Sequence, residues 1–428
     1  MKKLFTTLLA VLMVLALAAC NNTTPSNGGE ASNDATGQVY YLNFKPEADE
    51  AWQALAAKYT EETGVPVKVV TAASGTYDTA LQNELGKANP ELTLFQLTND
   101  GAVATYGDYC ADWNGTDAFN LMTTHDFDLT KDGKTLGIGY CYECFGIIVN
   151  KALLKEAGHD ISEITNFETL KTVVEDIHAR SAELGFDAFT NAGLAPSSSW
   201  RFTGHLITLP LHYEGVNKKM EIKGTYLNEF KNIWDLYLNN SATDPIANNT
   251  AGDEAEAEFG NKKAVFYQNG SWEYSALTGT YGIPAEDLQM IPIYVGHEGE
   301  EKAGLCSGTE AHWALNNLAK EEDLAATRDF VKWVVSSEEG TKMMAEQFGP
   351  IPFKNAAEPE NVFFAQANEL LAQGNYNVSW AFNYTPAVDD FRAGLVTALQ
   401  SYATDGDWSA VENAFVNGWN SLLASEQN

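Results

Sequence analysis

An α/β architecture in two lobes is what this sequence predicts, and two observations carry it. Strand-like and helix-like stretches alternate from residue 38 onward, and the chain left after its leader, about 409 residues, exceeds one ordinary domain. Val39-Tyr40-Tyr41-Leu42-Asn43-Phe44 reads as a first strand. From Pro46 to Thr63 the apolar positions Ala48, Trp52, Leu55, Ala56 and Tyr59 recur at helical spacing, and Gly64 stands where a helix ends. Val65 to Thr71 reads as a second strand, Thr76 to Lys87 as a second helix and Leu92 to Leu97 as a third strand, the rhythm of a parallel sheet with crossover helices. Ligands on such sheets bind beyond the carboxyl ends of the strands, which directs attention to Ala73-Ser74-Gly75-Thr76 and Thr98-Asn99-Asp100.

Further along, Asp132-Gly133-Lys134 reads as the turn of a hairpin between Phe127-Asp128-Leu129 and Thr135 to Tyr140, and a connecting strand runs through Cys141 to Asn150. A short helix starts at Ala152, and a longer one runs from Asn166 to about Leu184. Residues 150 to 292 read as helix-rich with scattered strands. The chain is extended again from Ile291 to Leu315, and one helix is expected over Ala325 to Phe348. There is no internal repeat.

The opening places the protein outside the cytoplasm. Lys2 and Lys3 precede an apolar run from Leu4 to Ala19 that matches a secretory signal and is short for a spanning helix. Leu17-Ala18-Ala19-Cys20 resembles a bacterial lipobox, which implies loss of residues 1–19 and a lipid on Cys20. Residues 20–37 then form a flexible tether, since Asn21 to Gly29 has nothing apolar to bury. The expectation is a body held at the outer face of the cell membrane through the lipid anchor only.

Charge narrows the partners. The chain has 26 Lys+Arg against 58 Asp+Glu, a net charge of −32 that becomes −34 without Lys2 and Lys3. Nucleic acid is excluded as a partner, because its phosphates need a basic surface. Only four arginines exist, Arg180, Arg201, Arg328 and Arg392, so bidentate capture of an anionic ligand is disfavoured and a neutral one favoured. The acidity itself reads as a solvated surface that keeps the chain soluble. Aromatics are abundant, and Trp200, Trp272 and Trp380 sit in loop-like polar surroundings that suit ligand contact.

Three separated blocks converge on one family. Tyr142 to Gly158, with its Asn150-Lys151 followed by a short helix, resembles a crossing segment of the family 1 extracellular solute-binding proteins of carbohydrate ABC importers, the maltose-binding type. Phe259 to Trp272 resembles the helix, strand and Gly-Ser-Trp loop of that family, and Phe348-Gly349-Pro350-Ile351-Pro352-Phe353 its late Gly-x-Ile-Pro block. The resemblance implies a periplasmic-binding-protein-like fold, with hinge crossings between two lobes and a ligand cleft between them. It places the first lobe at 38–145 plus 297–350 and the second at 150–292 plus 353–425. It implies an oligosaccharide ligand and a permease partner for a monomeric chain. Trp200, Trp272 and Trp380 would be platforms from the second lobe, and Asn99, Asp100 and Glu143 polar contacts from the first lobe and the crossing. These types suit a pyranose, whose C–H face stacks on indole while its hydroxyls seek carboxylates and amides. Other uses compete: Trp200 as a surface anchor, Asp100 as a helix cap, and for Trp313 a place in the core.

Besides Cys20 there are Cys110, Cys141, Cys144 and Cys306, which allow three pairings; in the family frame a Cys144 to Cys306 bridge between two crossings is preferred. Cys141-x-x-Cys144 lacks two further ligands for zinc, and Asp126 to Thr130 starts like a calcium loop but has Lys131 where glycine is required. With no metal or cofactor expected, no His-Glu-x-x-His, no Gly-x-Ser-x-Gly and no phosphate loop, the chain reads as a binder and not an enzyme. The rival classes are a lipid-anchored glycoside hydrolase and a binding protein for a charged solute such as a polyamine.

Overall fold

The structure is a computed structural model that describes residues 37–73, 75–191, 193–195, 198–243 and 253–426. Cys20, the signal segment and almost all of the tether lie outside the described residues, as does Ser74 of the loop after the second strand. Thirteen strands are described: β1 (Val39–Asn43), β2 (Val67–Thr71), β3 (Leu94–Leu97), β4 (Cys110–Ala111), β5 (Leu129–Lys131), β6 (Lys134–Gly139), β7 (Glu143–Asn150), β8 (Asp187–Phe189), β9 (Ala264–Gly270), β10 (Leu288–Ile291), β11 (Ala303–Gly308), β12 (His312–Asn316) and β13 (Tyr376–Ser379). They form two mixed sheets, one per lobe.

The first sheet has the order β2-β1-β3-β12-β6-β5, with β4 beside β12. Its parallel half, β2-β1-β3, arises from the predicted alternation, and β12 enters antiparallel to β3 with Trp313 opposite Gln96. Every residue of β1 is buried because both faces are covered: Val39 and Tyr41 join one core, Tyr40 and Leu42 another. Helix Asp49–Thr63 lays Trp52, Leu55, Ala56 and Tyr59 on the first of these cores and ends at Gly64 with φ 75°, a left-handed value that glycine accepts without strain. The β5–β6 hairpin turns at Asp132 and Gly133, both with positive φ (54° and 77°). Trp313 is fully buried and stacks on Tyr140 at 4.2 Å. The single helix expected over 325–348 is two, Glu321–Val334 and Glu338–Phe348, because Ser337 caps the second by accepting from the Gly340 amide.

The second sheet runs β13-β11-β7-β9-β8, with β10 also on β7. All eight residues of β7 are buried; Phe145, Ile147 and Val149 face the larger core and Cys144 and Ile148 the smaller. Helix Phe167–Ala179 and the C-terminal helices close the larger core with Leu170, Val174, Phe391, Trp408 and Trp419.

The chain passes between the sheets at Tyr140–Tyr142, at Thr309–Ala311 and after Phe353. Tyr140 donates its amide to the Ala311 carbonyl and Tyr142 to that of Pro350, both at 3.0 Å, which ties the three passages together. The lobe limits accordingly differ from those expected. Residues 143–145 begin β7 and 303–308 are β11, both in the second sheet, whereas Ile351 and Phe353 pack in a first-lobe core.

The expected Cys144–Cys306 bridge is overturned by strand pairing. Cys306 lies opposite Phe145 and Ser307 opposite Cys144, so the two thiols project from opposite faces of the sheet, Cys306 into the larger core and Cys144 into the smaller. Cys110, Cys141, Cys144 and Cys306 are all free and buried, and burial pushes the Cys110 and Cys144 thiols up to about 12.

Candidate functional site

The carboxyl ends of β1, β3, β8, β9 and β13 and the two strand crossings collect the chemistry-bearing side chains. Beyond β9 the chain makes a tight turn, Ser271–Glu273. The Ser271 hydroxyl accepts the Cys144 amide at 3.2 Å, and the Ser271 carbonyl accepts the Asn361 side-chain amide at 2.8 Å, so the turn is anchored from both sides. Trp272 folds back over the strand end. A Cβ on Gly270 would stand 2.2 Å from its ring, so only glycine leaves this space open.

Trp272 is half-buried and stands 5.9 Å from Trp200, also half-buried, with ring planes at 58°. Beneath them His205 stacks on Phe145 at 3.7 Å, with Trp200 4.9 Å and Trp272 5.7 Å away. Burial, reinforced by the Arg201 charge, holds His205 well below its usual range, so a neutral imidazole acts here as one more aromatic ring. Arg201 is buried, donating to the Gln268 carbonyl at 3.3 Å and the Asn191 carbonyl at 2.8 Å.

The opposite wall comes from the first lobe. Lys45, just past β1, is 5% exposed and donates to both oxygens of Glu143 at 2.7 and 2.8 Å. Glu47 lies 3.7 Å from the same ammonium, which sits 5.8 Å from the centre of the Trp272 ring. Burial works against this ammonium, but Glu143, with Glu47, Cys141 and Glu310 behind it, outweighs burial and keeps it charged. Asn43 holds the loop, donating to the Lys45 carbonyl at 2.7 Å and accepting the Lys45 amide at 3.1 Å. Gln96 at the end of β3 accepts the Phe44 amide at 2.6 Å and donates to the Tyr140 hydroxyl, so both strand ends and the first crossing are locked together.

The predicted residues divide. Trp200, Trp272 and Glu143 are brought together, but the partner of Glu143 is Lys45. Trp380 is not a platform: it is 2% exposed, lies behind Trp272 at 6.4 Å and donates its indole N–H to the Cys306 carbonyl at 2.9 Å. The residue that caps helix Asp100–Tyr106 is Asn99, whose oxygen accepts the Ala102 amide at 3.0 Å; Asp100 is its exposed first residue. That helix lies against Ala381–Tyr384 of the second lobe, so this pair sits where the lobes meet.

Sequence reasoning missed Lys45, Glu47, His205, Glu273 and Glu310. Only for Lys45 was a signal present, a lone cation directly past the carboxyl end of the first strand. A separate surface depression, lined by Phe167, Lys171, Glu175 and Asn232, lies on second-lobe helices and shares none of these groups. Among the described residues no cluster of His, Cys, Asp and Glu could hold a metal ion.

The sequence between residues 54 and 373 matches the family model described as bacterial extracellular solute-binding protein. The chain belongs to that family. This solute-binding protein is 21% identical to the multiple sugar-binding protein of Streptococcus mutans serotype c over 422 residues, 95% of each chain. Its fold is similar to that of the solute-binding protein RafE in complex with raffinose, with a TM-score of 0.71 at 16% identity over 91% of this chain and all of the other. A manno-oligosaccharide specific solute-binding protein from Bifidobacterium animalis subsp. lactis, in complex with mannotriose, gives a TM-score of 0.63 at 15% identity over 92% of this chain and 96% of the other. The solute-binding protein is thus a binding subunit of the ABC-transporter kind and not an enzyme. No helix among its described residues is long and apolar enough to cross a membrane.

Proposed function

We propose that this chain captures a neutral oligosaccharide in the cleft between its lobes and delivers it to the permease of a carbohydrate ABC importer. The observation that carries this reading is Trp272, half-buried over Gly270 beside Trp200, with Lys45 and Glu47 of the first lobe facing it and Glu143, at the start of β7, holding the Lys45 ammonium. A sugar ring stacks its C–H face on the indole and turns its hydroxyls to these fixed donors and acceptors. The name of the Streptococcus relative, a multiple sugar-binding protein, and the raffinose and mannotriose held by the similar folds support the same reading. A second reading, a polyamine, draws on Glu47, Glu273 and Glu310, but the Lys45 ammonium in their midst repels a cation.

The test is calorimetry with the purified mature chain against raffinose, mannotriose, a wider panel of neutral oligosaccharides, and spermidine. A neutral oligosaccharide should bind and be recovered uncleaved. Binding of spermidine alone overturns the sugar reading, and cleavage returns the hydrolase.

Anchoring at the outer face of the membrane through Cys20 is part of the same proposal, resting on Leu17-Ala18-Ala19-Cys20. Changing Cys20 to Ser should abolish lipid labelling and move the protein out of the membrane fraction or leave an unprocessed precursor. Labelling that survives the change removes the anchor from the proposal.

A further inference from the structure

The two indoles of the cleft wall lean on a ring whose orientation is set from behind the site. His205 lies 4.9 Å from Trp200 and 5.7 Å from Trp272, and its plane meets theirs at 69° and 59°. Phe145 of β7 stacks on the other side of the imidazole at 3.7 Å, with an interplanar angle of 4°. A parallel stack fixes the plane of a ring but leaves it free to turn within that plane.

Gln268 of β9 removes this freedom. Its side-chain amide donates to His205 Nδ1 at 2.7 Å, so the imidazole accepts on that nitrogen and carries its proton on the other. Burial, reinforced by the Arg201 charge, keeps the ring neutral, as an acceptor must be. Gln268 is fully buried and held on its main chain from two sides: its amide donates to the Tyr237 hydroxyl, and its carbonyl accepts from Arg201 Nη1 at 3.3 Å. Arg201 also donates to the Asn191 carbonyl at 2.8 Å, just past the end of β8. Its guanidinium stands in for the strand that has stopped. The last bond from that side runs from the Thr190 amide to the Phe266 carbonyl, and the Gln268 carbonyl is the next on β9 to point the same way. One wide π-type turn, Arg201–His205, thus follows Trp200 directly and grips a strand that ends at Gly270 beneath Trp272.

Packing alone does not ask for glutamine here. The pleat puts Phe266 and Gln268 on one face of β9, and Phe266 fills the larger core without a polar atom. Gln268 carries a cost, because its Oε1 is buried with no hydrogen bond among the described residues. What its amide adds is direction.

We propose that Gln268 is a positioning residue for the ligand: by fixing the His205 ring it sets the angle between Trp200 and Trp272, and with it the surface offered to a sugar. This rests on the reading of the cleft as a sugar site. The bond can be broken from either end, with Gln268→Met keeping length but no donor and His205→Phe keeping the stack on Phe145 but no acceptor.

Circular dichroism of the mature chain reads the pair directly, since indoles 5.9 Å apart couple and the coupling depends on the angle between them. The part of the spectrum lost in both Trp200→Phe and Trp272→Phe belongs to the pair. It should shrink or invert in Gln268→Met and in His205→Phe, and the double variant should change no further, because both substitutions remove one bond. Calorimetry should find whichever panel sugar the parent chain binds held about tenfold more weakly by each variant. A pair signal unchanged in both variants, with only the unfolding temperature lowered, overturns the positioning role, as do failure of both to fold, changes that add in the double variant, or a changed signal with undiminished sugar affinity. A changed signal in a chain whose parent binds no panel sugar sinks the sugar reading and leaves the positioning of the indoles standing.

Discussion

Lys45→Met should lower the unfolding free energy by about 3–5 kcal/mol, because it leaves Glu143, 3% exposed, as a buried charge without its ammonium. The pair is bidentate and both members are buried, so water cannot replace the lost partner as it does for the exposed bridges of this chain, such as Lys58 with Glu62. Denaturant titration with a constant m-value reads the loss. The double variant Lys45→Met/Glu143→Leu should recover most of the stability, since an apolar pair of similar volume is tolerated where a lone carboxylate is not. It should not recover sugar binding, because both polar groups of the pair beside Trp272 are gone. A single-variant loss below about 1 kcal/mol would show that the pair behaves as an exposed one.

Trp272→Ala should weaken binding of the cognate sugar by at least about 2 kcal/mol, the range of a buried aromatic hot spot, with Trp272→Phe intermediate because it keeps a stacking face. Folding should change much less, as the ring is half-buried and packs only on the margin of the larger core. Trp380→Ala gives the contrast. Its indole is enclosed and hydrogen-bonded to the Cys306 carbonyl, so its removal should cost about 3–5 kcal/mol of stability through an unfilled cavity. Calorimetric titration beside thermal unfolding of both variants separates the roles. Normal binding by Trp272→Ala, or its failure to fold, would make Trp272 structural.

The contrast between those two tryptophans shows where sequence reading stops. Gly270-Ser271-Trp272 is a local turn, and its glycine and its tryptophan are close neighbours in the chain, so the half-buried ring over a bare strand end is written in nearby residues. Trp380 sits in an equally polar stretch, Asn377-Val378-Ser379-Trp380, yet it is covered by Phe145 and Cys306, residues that only the fold brings to it. Asn99 and Asp100 were legible as a helix start; which of them caps depended on the extended backbone at Asn99.

What the sequence determined by itself are the features set by short-range periodicity and turn chemistry: the β1 to β3 alternation, the amphipathic helix ending at Gly64, the Asp132-Gly133 hairpin, and the blocks that mark the family. What only the tertiary structure decided depends on strand order and pleat. The placement of β7 and β11 in one sheet fixed the lobe limits, and their register set Cys144 and Cys306 on opposite faces. The meeting of Lys45 with Glu143, 98 residues apart, belongs to the same class. Hydrophobic spacing specifies which face of an element is buried, but not which distant element covers it, and an ion pair, a disulfide or a cleft is a property of that second choice.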